Sequence, residues 1–296
     1  MNKLVNLYFE LHNIKTRIIR WPLFKIKNKS QVCLLKNNRV FEKQFEGKRC
    51  FILGNGPSLK SVDLSLLSDE YTFTVNQASR NPQFHLLKTN FHFWVDPVFF
   101  DIDLARPADV ELLDYMKHVK DNNNSPKVFY PVEREAFVKK FDLDKSLDVF
   151  YFKSGLHFMD STKKIDYTKI VPGFGTVVQW CITMAIFMGF KEIYLLGCDN
   201  TGLINNIKAS MNTPVTEYNY EITANEQERL EKQSKQKPLY DYVLSYADVL
   251  KDYDLLCKYC SNNGILLINC TQQSAIDCIP QCKLEDVLRD KQDSIK

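Results

Sequence analysis

Phe51-Ile52-Leu53-Gly54-Asn55-Gly56-Pro57-Ser58-Leu59 runs a short apolar segment straight into a glycine turn. The order reads as a strand, a tight turn and a helix start. Gly54 and Gly56 allow backbone amides to approach an anion closely, Pro57 suits a first helical position, and Ser58 adds a hydroxyl beside the unpaired amides. Such a turn is where a phosphate is expected, although the same residues also serve as a plain strand-to-helix connection. Spacing excludes the dinucleotide fingerprint, because Leu59 stands where a third glycine is required, and no P-loop is present.

Outward from this turn, strand-like runs alternate with helix-like ones. Strands are expected at 50–53, 71–75, 91–95, 127–130, 147–152, 192–196 and 265–268, with a nearly all-apolar helix over 176–189. This alternation predicts an α/β fold, a Rossmann-like and mostly parallel sheet with helices on both faces. Ligands of such sheets gather beyond the carboxyl ends of the strands, where the strand order reverses. Asn55, Asn76, Asp96 and Asp199 each follow a strand and together outline one crevice. Singly, each also suits a cap or turn.

A chain of 296 residues that is 45% hydrophobic supports one large domain without disulfides. Its nine cysteines fall at irregular positions, and the opening lacks a signal-peptide pattern, which points to a reducing cytoplasm. Cys257-x-x-Cys260 imitates a redox or zinc half-site, with Cys270, Cys278 and Cys282 nearby, but no second pair or later histidine follows. Buried structural thiols fit better. Residues 1–45 hold seven lysines and three arginines against Glu10 and Glu42, a net charge of +8 within a chain of +3 overall. Interleaved with them are Leu4, Leu7, Tyr8, Phe9, Leu11, Ile14, Ile18, Ile19, Trp21 and Phe24. This basic amphipathic extension suits either peripheral contact with an anionic membrane or packing on the domain. The most apolar stretch, 177–190, falls short of the ~18 residues a spanning helix needs.

The expected organisation is therefore the extension at 1–45, one domain at 46–290 and a tail at 291–296. Within the domain, the polar run 202–238 reads as a lid or a mobile insertion, with Tyr218 and Tyr220 as isolated aromatics. Asp101-Ile102-Asp103 has the form of a metal-binding Asp-x-Asp, but its place before a helix favours capping or solvated acid. No metal is expected. His92 and His157 read as satisfied structural residues.

Taken together, residues 51–59, Val75-Asn76-Gln77, Phe93-Trp94-Val95-Asp96-Pro97 and the block 183–199 resemble the bacterial sialyltransferases of glycosyltransferase family 42. The same segments, with Gly175-Thr176-Val177 and Ile268-Asn269-Cys270-Thr271, are similar to the MptE-like domain family. That group includes the central domain of motility-associated flagellin glycosyltransferases and many surface-polysaccharide enzymes. The resemblance covers residues 48–288 in patches. It implies an inverting glycosyltransferase that moves a sugar from a CMP-activated acidic (nonulosonic or Kdo-like) donor to a cell-surface glycan acceptor, without nucleic acid; the basic N-terminal extension points to a lipid-linked or lipopolysaccharide acceptor at the cytoplasmic membrane face. By position it implies donor contacts from Gly54, Asn55, Gly56, Pro57, Ser58, Asn76, Asp96 and Thr176. The histidine base of the sialyltransferases has no counterpart after His157. Asp199 is left as the candidate base and Tyr246, with Tyr240 and Tyr242, as a phosphate ligand. Two other classes stay open: an ATP- and magnesium-dependent hydroxymethylpterin diphosphokinase, with Asp101 and Asp103 or Asp96 and Asp199 on the metal, and a noncatalytic nucleotide-binding subunit of polysaccharide assembly.

Overall fold

The computed structural model describes residues 3–120, 124–211, 213, 218–234 and 237–293. Its strands are β1 (Arg49–Leu53), β2 (Tyr71–Val75), β3 (Phe91–Phe93), β4 (Lys127–Pro131), β5 (Asp148–Leu156), β6 (Ile170–Pro172), β7 (Glu192–Leu196) and β8 (Leu266–Asn269). They form one sheet in the order β6-β5-β4-β3-β2-β1-β7-β8, with every neighbouring pair parallel. The chain walks outward from β1 to β6 and then returns to the other side of β1. The order therefore reverses between β1 and β7, where Leu53 pairs with Leu196. An α/β fold with a parallel sheet is what the alternation of segments predicts.

Both faces of the sheet are covered, which is why its central strands read as continuous apolar runs rather than alternating ones. Along β1, Cys50 and Ile52 enter one core with Phe73, Phe93, Phe129 and Phe152, while Phe51 and Leu53 enter the opposite core with Trp94, Tyr130 and Leu196. The helices are α1 (Lys3–Lys15), α2 (Trp21–Lys27), α3 (Lys29–Lys36), α4 (Pro107–Lys117), α5 (Glu135–Lys140), α6 (Leu143–Ser146), α7 (Val177–Met188), α8 (Gly202–Ser210), α9 (Ala224–Ser234), α10 (Leu239–Asn262) and α11 (Leu284–Asp293). A π-helical segment, Thr16–Arg20, joins α1 to α2. α7 is buried nearly all round, with Thr176 at its N-cap and Gly189 in the left-handed conformation at its C-cap. α10 packs over it, the Gln179 amide donating to the Val249 carbonyl at 2.9 Å.

Two expectations change. β6 is an unforeseen edge strand, three residues long and ending in Pro172, too short to carry a periodic signal. The helix start at Pro57 is only a 3-10 turn, Pro57–Ser61. Within the expected extension, Leu35 and Phe41 are buried in the two cores, and the Asn38 amide donates to the carbonyls of Tyr151 and Tyr167. The insertion 202–238 is structured as α8, a buried segment at Asn219 and Tyr220, and α9; residues 212, 214–217 and 235–236 lie outside the described residues, as do 294–296 of the tail. The described cysteines are all free. Cys260 and Cys270 are buried, Cys257 and Cys278 half-buried and Cys282 exposed, and among the described residues no three His, Cys, Asp or Glu side chains converge as a metal set.

Candidate functional site

A cavity of about 720 Å³ opens at the carboxyl ends of the strands, within the ~300–1,000 Å³ range of small-molecule clefts. Gly54, Asn55, Gly56 and Pro57 after β1, Asn76 after β2, Asp96 after β3 and Asp199 after β7 all line it, as do Thr176 at the head of α7 and Tyr246 on α10. Ser58 stands behind the wall rather than on it, and Tyr240 and Tyr242 do not line the cavity.

Three of the amides of the glycine turn are taken up by the protein itself. Gly54 N–H donates to the Leu196 carbonyl at 2.8 Å and Gly56 N–H to the Gly197 carbonyl at 2.8 Å. Ser58 N–H donates to Asp199 Oδ1 at 3.0 Å, and the Ser58 hydroxyl donates to Oδ2 at 2.7 Å. The glycines are required by this close approach: a Cβ on Gly54 would lie 2.4 Å from the Gly197 carbonyl oxygen, and one on Gly56 would lie 1.9 Å from Asp199 Oδ2. The 3-10 turn also lacks the aligned dipoles of an α-helix, so the pull on an anion expected there is missing. For the same reason Asp199 is a poor base, since both of its oxygens already accept hydrogen bonds.

Asn55 and Asn76 stitch the strand ends together. The Asn55 amide donates to the Val75 carbonyl at 3.0 Å, and Asn76, held at φ 47°, accepts from Val95 N–H at 3.4 Å. Asp96 accepts from Val98 N–H at 3.2 Å and caps the turn that follows. Burial raises its carboxyl above the ordinary aspartate range, with nearby Arg229 acting in the opposite direction. Thr176 caps α7, its hydroxyl accepting from Val178 N–H at 3.3 Å. The N-terminal, positive end of α7 thus reaches the cavity wall through Gly175, Thr176 and Val177. The Tyr246 hydroxyl sits over Gly202, where a Cβ would be 1.9 Å away, and burial pushes this phenol up, so it stays a protonated donor.

The insertion supplies what sequence reasoning missed. Tyr218, Tyr220, Arg229 and Leu230 join the wall from it. Tyr218 and Tyr220 stack at 5.2 Å with their planes 14° apart. Arg229 lies over the Phe99 ring at 5.0 Å and grips Glu226 with two hydrogen bonds of 2.8 and 2.7 Å. Glu226 is buried and also accepts from Gln77 at 2.7 Å and from Arg80 at 3.4 Å. Arg80 in turn pairs with Glu111 at 2.7 Å and lies over the Tyr115 ring at 4.2 Å. This buried network docks α9 against the turn after β2 and holds a guanidinium at the cavity. The signal available was the pair Glu226 and Arg229 at helical spacing beside two isolated tyrosines, inside a run that otherwise reads as a solvated helix.

The remaining candidates lie elsewhere. Asp103 accepts from Ala105 N–H at 3.0 Å and pairs with Arg106, and neither it nor Asp101 lines the cavity. His92 is buried against the Thr74 hydroxyl at 2.8 Å, with burial lowering its ring to about 3. His157 stacks on Phe9 at 4.0 Å, outside the cavity lining.

No curated protein matches the chain. Among solved structures, it is similar to the sialyltransferase CstII from Campylobacter jejuni in complex with a substrate analogue, cytidine-5'-monophosphate, at 19% identity over 80% of this chain and 85% of that one, with a TM-score of 0.42. The family described as 6-hydroxymethylpterin diphosphokinase MptE-like matches residues 25–202. That span takes in β1 to β7 and every strand-end residue of the cavity, and the chain belongs to this MptE-like family.

Proposed function

We propose that the chain is a transferase acting on a nucleotide-activated donor, and more closely an inverting glycosyltransferase that moves an acidic sugar from a CMP-activated donor to a cell-surface glycan acceptor. The observation that carries this reading is the joint presence of Asp96 and Arg229 in the lining of the cavity at the strand ends. Inversion requires an acceptor hydroxyl to attack the anomeric carbon from the face opposite the departing CMP. The new carbon–oxygen bond forms as the bond to the phosphate oxygen breaks, and the electron pair leaves with CMP. Asp96, with its raised carboxyl, takes the hydroxyl proton. Arg229 and the Tyr246 phenol face the developing charge on the phosphate, helped by the positive end of α7. Tyr218 and Tyr220 cover the cavity and exclude water that would hydrolyse the donor.

A second reading follows from the family description itself: transfer of diphosphate from ATP to a hydroxymethylpterin, which calls for magnesium. Magnesium is held by carboxylates and phosphates with near-octahedral oxygen geometry. Asp199 has both oxygens on Ser58, Asp96 has one on Val98, and Asp101 and Asp103 are off the wall. These residues do not fit a shared dicarboxylate site.

The test is CMP release from CMP-activated acidic sugars, with EDTA and with magnesium, beside AMP release from ATP and 6-hydroxymethylpterin. Metal-independent CMP release supports the glycosyltransferase. AMP release that needs magnesium establishes the kinase, and silence with every donor leaves the noncatalytic subunit.

A further inference from the structure

The N-terminal helices leave an apolar face uncovered. Asn6, Phe9, Asn13 and Thr16 face the domain, as do Trp21, Phe24 and Asn28 beyond the π-helical segment. Asn13 is buried, its amide donating to the His157 carbonyl at 2.9 Å and its Oδ1 accepting from His157 N–H at 2.8 Å. Phe9 is clasped between the His157 ring and Lys251, and Phe24 lies under Lys153. The opposite face carries Leu4, Leu7, Leu11, Ile14 and Ile18, at alternating steps of three and four residues, and between 51% and 71% of each is exposed. The extra residue of the π-helical turn rephases this stripe, so that Ile19, Leu23 and Ile26 continue it along α2.

A surface helix of a globular domain normally buries its apolar stripe and shows its polar one. Here a mixed face of Asn6, Phe9, Asn13, Thr16, Trp21 and Phe24 is used against the protein and a second, apolar face is left open, over a length at which an exposed stripe marks an interaction surface. Charge selects the occupant. Residues 3–29 carry seven Lys and Arg side chains against Glu10 alone. A second copy of the same stripe would bring like charges together, whereas an anionic bilayer complements them, and long basic side chains can reach headgroups while their stems stay on the apolar boundary.

We infer that α1, the π-helical segment and α2 form an in-plane docking face for an anionic lipid surface. The stripe sinks into the acyl boundary, and Lys15, Arg17, Arg20, Lys25 and Lys27 take the headgroup phosphates. α1 is fixed by Asn13 to the loop after β5, so docking holds the whole domain at the membrane.

Flotation of the full chain with phosphatidylcholine vesicles, with and without phosphatidylglycerol, tests this. Binding is expected to the anionic vesicles, falling with added salt and weaker by roughly tenfold or more on neutral ones. The combined variant Leu7→Ser, Leu11→Ser, Ile14→Ser alters outward side chains only and should lose binding with its melting temperature unchanged. The charge-reversal variant Lys25→Glu, Lys27→Glu should weaken it independently. Equal binding to both vesicle types, or retention of binding by both variants, overturns the proposal. So does a concentration-dependent dimer, in place of lipid binding, that the serine variant abolishes, which would make a second copy the occupant.

Discussion

Asp199 ties down Ser58 with both carboxylate oxygens, Oδ1 on the backbone N–H at 3.0 Å and Oδ2 on the hydroxyl at 2.7 Å, and so fastens the end of β7 to the turn after β1. The residue placed most prominently for chemistry at the strand-order reversal is a fastener there. Asp199→Ala leaves the half-buried Ser58 N–H and hydroxyl without their charged partner and should cost about 1–3 kcal/mol by denaturant unfolding. Gly56→Ala forces a Cβ against the same carboxylate and should cost a similar ~1–3 kcal/mol. An Asp199→Asn variant should keep most of the stability and retain turnover, whereas loss of turnover with intact folding would restore Asp199 as the base.

The clamp of Glu226 on Arg80 and Arg229 makes a second expectation. Glu226→Ala leaves two guanidinium groups with weakened compensation, and breaking such a buried pair costs about 3–5 kcal/mol when the groups stay buried. α9 can relieve that cost by undocking. The expected outcome is therefore rapid proteolysis within residues 218–234 and loss of donor binding, with a smaller change in the melting temperature of the sheet core.

Asp96 carries the proposed proton transfer. Burial raises its carboxyl above the ordinary value of 3.8, so the base form is lost as pH falls through a range higher than that of an exposed aspartate. Turnover should then show an acid limb displaced upward, and Asp96→Asn should abolish turnover while CMP still binds. Unchanged turnover in the variant removes Asp96 from the chemistry.

Asp252 on α10 gives a prediction about stability alone. Burial raises its carboxyl to about 7 from an ordinary 3.8, with Lys251 opposing the shift. The folded chain binds this proton more tightly than the unfolded chain, so the contribution is fully present below pH 4 and is lost as pH rises through about 7. Asp252→Asn should therefore stabilise the protein at pH above 7 by on the order of 1–3 kcal/mol and leave it unchanged near pH 4. Denaturant titrations of both chains across that range decide it.

What was legible in the sequence follows from where burial is local. β1, β2, β7 and α7 read clearly because each is a run of apolar residues covered on both sides, and Asn55, Asn76, Asp96 and Asp199 follow from the strand ends. What those residues do was not legible. Whether an amide at Gly56 meets a ligand or the Gly197 carbonyl depends on a residue far along the chain, as does the Ser58–Asp199 bond, which spans 141 residues. The docking of α9 was hidden for a related reason, since Glu226 and Arg229 look like a solvated pair until Gln77 and Arg80 arrive from the turn after β2. β6 was invisible because three residues cannot establish a period.

The most direct measurement is a calorimetric titration of the full chain with CMP in the absence of metal, repeated with Arg229→Gln. Wild-type binding that weakens by roughly 10- to 100-fold in the variant, as expected for one lost charge-assisted hydrogen bond to a phosphate, supports the cavity as the donor site. Absence of CMP binding alongside tight binding of ATP with magnesium, or CMP binding that ignores the change at Arg229, would contradict it.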